Sequence, residues 1–356
     1  FGLLVGDYMQ AELWPTNHDP NLPKWIGTVM LLGLWAFNIV GLRPGVWLSY
    51  LLGVLTMIPM LIVMFVPFLN GSFHAHNLLP LVLPNHVGWL TWAGISLMLS
   101  WLYIAGWSSY GFECVATFAP ELTNTLKDTP RALRLSAIFS VLVYGLVPLG
   151  LVGVLGVGVP GKSGVQANIY TAFDPALKAI LGNGLGTVIV IMVVASLVLS
   201  ANVATMDGSR ALWQMSKDRM TVTWLSHLNR RGVPDAGMTL DLLVQLVLMW
   251  TIGSPLYILA AGNLGYILCH VCALVAFILL RRDQPNAVRP LRLGSAWVGM
   301  AGVLAALNVV FIVIGGPTYG MNSLLIGIGI LLVALALYLF RIYVQDRQPA
   351  VQVAKS

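Results

Sequence analysis

The sequence predicts an all-α integral membrane protein, a polytopic bundle of helices. Hydrophobic residues make up 58% and charged residues 9% of the 356 residues, against roughly 45–50% and 25% in soluble domains. The mean hydropathy is +0.84. Apolar residues gather into runs separated by short polar connections. Because most runs can cross about 30 Å of hydrocarbon as helices, a soluble domain is excluded.

Nine apolar runs are predicted as membrane spans, preceded by an N-terminal stub at 1–9. The chain begins at Phe1, without a methionine and inside an apolar run, so we expect further sequence upstream. The polar loop 12–24 follows the stub. The connections 70–85 and 160–184 are long enough for short helices on the surface. The predicted spans are 25–42, 47–69, 92–119, 135–157, 186–206, 238–252, 257–280, 296–314 and 323–340.

The lysine and arginine residues predict the orientation. The protein has 19 of them, and all but Lys24, Lys162 and Lys178 fall on alternate connections that share one side. Because cytoplasmic loops carry the excess of these residues, the C-terminal tail is predicted inside the cell and the loop 12–24 outside, in a plasma (cell inner) membrane. The net charge of +6 is thereby explained by the loops, and no nucleic-acid partner is expected.

A helix that breaks inside the lipid bilayer is predicted within 101–134. Backbone groups freed in hydrocarbon are costly unless protein, water or ligand pairs with them, so such a break lines a cavity or is buried in protein. Carbonyls at the end of the first half-helix favour a cation, and amides at the start of the second favour an anion. The alternative is a glycine-kinked helix packed on a neighbour. The residues at the predicted break are Trp107, Ser108, Ser109, Tyr110, Gly111, Phe112 and Glu113.

Several of these side chains have two interpretations. Glu113 is a carboxylate deep in a span, where it either carries a coupling proton or makes a structural hydrogen bond. Trp107 and Tyr110 either cover a substrate, by stacking on a cation, or pack as ordinary aromatic residues. Asn202, in the span 186–206, either faces the cavity or bonds to a neighbouring helix.

Metal, redox and enzymatic chemistry find little support in the sequence. Cys114, Cys269 and Cys272 all fall in apolar spans, and the C-x-x-C pair lacks the further ligands of a zinc site. His74 and His76 have no obvious third ligand. No Ser/His/Asp arrangement stands out. We therefore expect no cofactor, no metal and no catalysis.

Two stretches resemble the amino acid–polyamine–organocation (APC) superfamily of permeases. The first is WSSYGFE at 107–113 with APE at 119–121 and TPRA at 129–132, which resembles the sixth span and the following loop. The second is GSRALW at 208–213 with SKD at 216–218 and RRGVP at 230–234, which resembles the eighth span and its cytoplasmic loop. Two departures occur in loops: TNTLKD at 123–128 replaces a usual K-N-P, and Arg219 stands where glycine is common.

The resemblance implies a five-plus-five inverted-repeat transporter that lacks its first three spans here. Residues 1–24 would end an upstream span and form an external loop, and 25–69 would be the last two spans of the first repeat. Residues 92–280 would be the second repeat, with its first span broken. Residues 281–356 would contribute two C-terminal spans and the cytoplasmic tail.

The resemblance also implies roles for individual residues. Carbonyls around Trp107 and Tyr110 would receive a substrate ammonium, and the Trp107 ring would act as a gate. Glu113 would respond to protonation at the inner gate, while Asn202 and Val203 would approach the side-chain pocket. A secondary transporter of amino acids or related amines is therefore expected, coupled to H⁺ as symporter or exchanger. The alternatives are a non-transporting scaffold or sensor and a membrane-embedded enzyme.

Overall fold

The regular structure of the protein is helical. The computed structural model describes residues 1–14, 16–79, 83, 87–106, 114, 118, 122–158, 173–182, 186–287, 289 and 293–347, and no strand occurs within these ranges. The predicted all-α class is thus confirmed. The α-helices of these ranges are α1 (Gly2–Leu13), α2 (Leu22–Ile39), α3 (Leu42–Asn70), α4 (Trp92–Gly106), α5 (Thr125–Leu155), α6 (Phe173–Leu181), α7 (Gly186–Lys217), α8 (Asp235–Thr251), α9 (Pro255–Asp283), α10 (Ala296–Val310) and α11 (Gly316–Phe340).

A helix lies in each of the nine predicted spans. In the span 92–119 that helix is α4, and most of the remaining residues of the span lie outside the described ranges. Within the described residues, six helical stretches are long and apolar enough to cross a membrane, which confirms a polytopic membrane protein. These stretches are Leu22–Ile39, Arg43–Asn70, Thr125–Leu155, Ile191–Lys217, Pro255–Asp283 and Ala296–Gln345.

The stretch Ala296–Gln345 contains the last two predicted spans. The π-helical turn Phe311–Gly315 joins α10 to α11, and Gly320 inside α11 leaves the helical conformation with φ 174° and ψ 111°. The π-helical turn overlaps the end of the predicted span 296–314, and Gly320 lies between that span and the span 323–340. A second π-helical turn, Arg341–Gln345, follows α11 directly.

The end of α3 follows from its residues. Asn70 is its last residue, and Gly71 follows with φ +79°, the left-handed conformation that glycine adopts at helix ends. The Asn70 side chain makes two hydrogen bonds. Its Oδ1 accepts from the Ser72 amide at 3.0 Å, and its Nδ2 donates to the Ile180 carbonyl of α6 at 3.2 Å.

The chain divides into two compact units. Unit 1 comprises Phe1–Leu81, Leu135–Pro255 and Leu337–Ser356, and unit 2 comprises Val82–Arg134 and Leu256–Ala336. Unit 1 therefore holds α1–α3, most of α5 and α6–α8, together with the C-terminal turn Arg341–Gln345. Unit 2 holds α4, nearly all of α9, α10 and most of α11.

In unit 1, a hydrophobic core joins α3, α5 and α6. Val63 and Met64 of α3 pack with Val147 of α5 and with Leu177 of α6, and Leu177 is fully buried. The short helix expected in the connection 160–184 is thus present as α6, and it is held by burial of its apolar face rather than lying free on the surface.

Glycines permit close approach of helices in the same unit. A Cβ on Gly6 of α1 would overlap the backbone of Pro23 at the start of α2. A Cβ on Gly150 of α5 would overlap the carbonyl oxygen of Val63. Small residues at helix contacts are the usual means of bringing membrane helices together, because lipid is as apolar as the side chains it would replace.

Unit 2 is built around Tyr103 of α4. The Tyr103 side chain is buried and packs with Ala260 and Ile267 of α9. Gly315 lies so close that an added Cβ would overlap the Leu99 carbonyl oxygen and the Tyr103 side chain. The face of α4 that carries Tyr103 therefore packs against α9 and the π-helical turn.

We predict that Gly150→Ala lowers the free energy of unfolding by about 1–3 kcal/mol, because the new methyl group must displace the Val63 backbone. Gly145→Ala is the matched control on the same helix, since a Cβ there meets nothing within 4 Å. Unfolding by SDS titration in mixed micelles measures both variants. Equal stabilities of the two variants would contradict the close approach of α5 and α3.

Candidate substrate site

The predicted break lies outside the described residues. This applies to Trp107, Ser108, Ser109, Tyr110, Gly111, Phe112 and Glu113, so the break stays a prediction. The structure describes α4 as far as Gly106, and Cys114 and Phe118 are half-buried beyond it. The residues that approach the predicted site from the N-terminal side are consequently the last turns of α4.

Two reciprocal hydrogen bonds join the last turns of α4 to α9. The Tyr103 hydroxyl donates to the Ala260 carbonyl at 2.8 Å. In return, the Asn263 side-chain amide donates to the Tyr103 carbonyl. Neither Tyr103 nor Asn263 belongs to the sequence motifs, although an asparagine in an apolar span is a recognisable signal for a bond between helices.

Asn202 of α7 lies in a buried polar network with α2 and α3. Its Nδ2 donates to the Gly45 carbonyl at 3.1 Å and to the Ser49 hydroxyl at 2.9 Å. Its Oδ1 accepts from Asn38 Nδ2 at 2.6 Å. Asn202 is fully buried, and Asn38 is 3% exposed. The network therefore links three helices of unit 1 through side chains that would otherwise be costly to bury.

This geometry corresponds to the neighbour-bonded alternative for Asn202. Both of its amide hydrogens already have acceptors in the helix network, which leaves its carbonyl oxygen as the group with remaining capacity. Val203 is the next residue on α7 and is half-buried. Successive residues of a helix point about 100° apart, so Val203 lies on a different face. Substrate contact by either residue remains a prediction.

The motif RRGVP at 230–234, which carries part of the family resemblance, forms a turn that closes the end of α2. Asn229 organises it: its Oδ1 accepts from the Arg231 and Val233 amides, and its Nδ2 donates to the Ile39 carbonyl at 2.9 Å. Arg231 donates to the Val40 carbonyl at 3.1 Å. Gly232 adopts φ +74°. The last carbonyls of α2, which lack partners within the helix, are thus paired by the loop.

Arg219, where the resemblance predicts a glycine, has φ +61°. Among the described residues it is the only non-glycine with positive φ. The left-handed conformation explains why glycine suits this position, since a Cβ makes it less favourable. The departure therefore leaves the backbone of the loop in the conformation that glycine favours.

The C-terminal turn packs against the same loop. The Arg341 side chain is 9% exposed, and it donates to Asp346 at 2.9 Å and to the Thr221 carbonyl at 3.2 Å. Gln345 Oε1 accepts from the Thr223 amide at 3.0 Å. Arg341 follows the predicted span 323–340 and was therefore expected in a tail, and not as a buried, paired guanidinium.

The C-x-x-C pair lies on the exposed surface of α9. Cys269 and Cys272 are both exposed, and His270 Nδ1 lies 2.8 Å from the Tyr266 carbonyl. Over the described part of the chain, no three His, Cys, Asp or Glu residues are placed to hold a metal ion.

Comparisons with known proteins agree with this architecture. The family profile described as "Amino acid permease" matches residues 3–335. The "Polyamine transporter PUT1" of Oryza sativa subsp. japonica is 30% identical over 79% of this chain and 48% of its own length. The "D-serine/D-alanine/glycine transporter" of Escherichia coli K12 is 24% identical over 61% of this chain and 47% of its own length. The "Branched-chain amino acid permease BcaP" of Lactococcus lactis is 26% identical over 44% and 31%. The chain spans about half the length, or less, of these relatives.

We predict that Asn202→Ala lowers the free energy of unfolding by about 1–3 kcal/mol, because Asn38 and Ser49 lose their buried partner. Ser200→Ala on the same helix is the matched control, since the Ser200 hydroxyl bonds only to the Ser196 carbonyl of its own helix. SDS titration of both variants tests this. If Asn202→Ala lowers the free energy of unfolding no more than Ser200→Ala does, the network is not stabilising.

Proposed function

Because the chain belongs to the amino acid permease family, we propose that the protein is a secondary active transporter of amino acids or related amines, working by alternating access. The family match over residues 3–335 carries the proposal. The transporting relatives are named for polyamines, for D-serine, D-alanine and glycine, and for branched-chain amino acids. These compounds share an ammonium group at neutral pH, so the proposed substrate class is a small primary amine.

The proposed substrate site is the predicted break at 107–113. Carbonyls around Trp107 and Tyr110 would accept the ammonium group, since the end of a half-helix favours a cation. The Trp107 ring would gate the site, and Glu113 would bind and release the coupling H⁺. The remaining residues assigned to the site are Ser108, Ser109, Gly111, Phe112, Asn202 and Val203.

The proposed organisation is that of two inverted repeats. Residues 25–69 would end the first repeat, 92–280 would form the second, and 281–356 would add two spans and a tail, with 1–24 ahead of them. The long spans of the structure support this proposal. Rocking of one group of helices against another would then expose a site at mid-membrane alternately to the two sides.

The proposed location is the plasma (cell inner) membrane, with the C-terminal tail in the cytoplasm. The excess of lysine and arginine on one set of connections supports this orientation. Digestion of sealed right-side-out vesicles with an added protease tests it: a tail beyond Arg347 that stays intact until detergent is added is expected. Cleavage of the tail in sealed vesicles would contradict the orientation.

Uptake by the full-length protein in proteoliposomes tests the function. We expect radiolabelled putrescine, glycine or leucine to accumulate, and an excess of the unlabelled compound on the far side to accelerate entry of the label by exchange. Empty liposomes are the control. Binding of the same probes without entry would instead favour the sensor alternative.

A pH arm of the same experiment tests Glu113. Glu113→Gln fixes a neutral side chain. If Glu113 carries the proton, we expect the increase in uptake rate caused by an imposed pH gradient to be about tenfold or more smaller than in the wild-type protein. Asp128→Asn is the matched control, because Asp128 is a carboxylate outside the predicted break that accepts a hydrogen bond from the Asn124 amide. An unchanged pH profile in Glu113→Gln would remove Glu113 from the coupling role.

A further inference from the structure

We propose that Asn263 is a positioning residue for substrate binding, acting through the carbonyl group of Tyr103 at the end of α4. This inference rests on the proposed function, because the site it serves is the predicted break that follows α4. Asn263 belongs to α9 and was assigned no role by the sequence motifs. Its importance follows from which backbone group it holds.

The Tyr103 carbonyl occupies a special position in the helix. In a continuing α-helix it would accept from the amide of residue 107, the first residue of the predicted break. The Asn263 amide donates to this carbonyl from another helix. The carbonyl is therefore paired whether or not the helix continues. Pairing of this kind allows the chain to leave the helix in hydrocarbon without an unsatisfied acceptor.

Asn263 is held in place on both sides. The side chain is fully buried on α9, and the Tyr103 hydroxyl returns a bond to Ala260, three residues earlier on the same helix. Gly315 packs closely against the Tyr103 side chain. A donor that is fixed in this way sets the position of the carbonyl to which it binds, and so sets where the following residues begin.

The second polar atom of Asn263 is unused. Its Oδ1 is buried and has no hydrogen-bond partner within the described ranges. Burying an acceptor without a partner costs free energy, so an apolar side chain would stabilise this position better than asparagine unless the amide has another use. Packing between α4 and α9 alone would be served as well by leucine. The unused oxygen is thus a second observation in favour of a positioning role.

Hydrogen–deuterium exchange on the full-length protein tests the contact without reference to transport. Asn263→Leu keeps a side chain of similar size but removes the donor, so we expect amides of the peptide 104–114 to exchange about threefold to tenfold faster, the range that loss of one hydrogen bond gives. Asn308→Leu is the matched control: Asn308 lies in the same unit, and within the described ranges its side chain bonds to the Leu304 carbonyl of its own helix. Unchanged exchange in Asn263→Leu overturns the proposal.

Uptake kinetics then separate positioning from mere stability. In proteoliposomes, Asn263→Leu is expected to raise KM for labelled putrescine, glycine or leucine about threefold to tenfold, because the site is displaced. Asn308→Leu is again the control and should leave KM unchanged, because the Asn308 side chain bonds to the Leu304 carbonyl of its own helix and not to α4.

The outcomes separate the two proposals. A changed stability of Asn263→Leu with an unchanged KM, or equal KM changes in Asn263→Leu and Asn308→Leu, overturns the positioning role. Absence of uptake by the wild-type protein counts against the proposed transport function, and the exchange experiment alone then decides the role of Asn263.

Discussion

Pairing of polar groups inside hydrocarbon is the constraint on which this structure depends. Water is absent there, so every carbonyl and amide that leaves a regular helix must find its partner in the protein. Three asparagines meet this demand. Asn38 and Asn202 bond to each other and to the backbone and side chains of α2 and α3, and Asn263 pairs with the Tyr103 carbonyl. Their planar amides suit this task, since each carries two donors and an acceptor.

Glycine solves the complementary problem of bringing backbones together. Because lipid offers no hydrophobic penalty to separation, membrane helices gain stability by close contact. Gly45 illustrates how closely the two devices are combined: a Cβ there would overlap the Asn38 side-chain oxygen, while its carbonyl accepts from Asn202. Loss of the small residue and loss of the amide would therefore disturb the same junction of α2, α3 and α7.

The sequence predicts where the helices lie along the chain but not which side chains join them. Hydropathy located α2, α3 and α9 within a few residues, because membrane thickness fixes the length of a span. It did not reveal that Asn263 meets Tyr103, since that pairing joins residues far apart in the chain and depends on how α4 and α9 pack. It likewise placed Arg341 in a tail, because a positive charge near a span end usually lies in solvent. The roles proposed for residues 107–113 rest on their resemblance to the family motif and on the need to pair polar backbone groups in hydrocarbon.

Arg341 has a consequence for how the molecule matures. Its guanidinium pairs with the Thr221 carbonyl, and Gln345 pairs with the Thr223 amide. A ribosome synthesises these partners more than a hundred residues apart, and Arg341 and Gln345 emerge only after α11. The loop after α7 therefore lacks these two hydrogen bonds until the chain has been synthesised as far as Gln345. Polypeptides that stop before Arg341 would leave the Thr221 carbonyl and the Thr223 amide without these two partners.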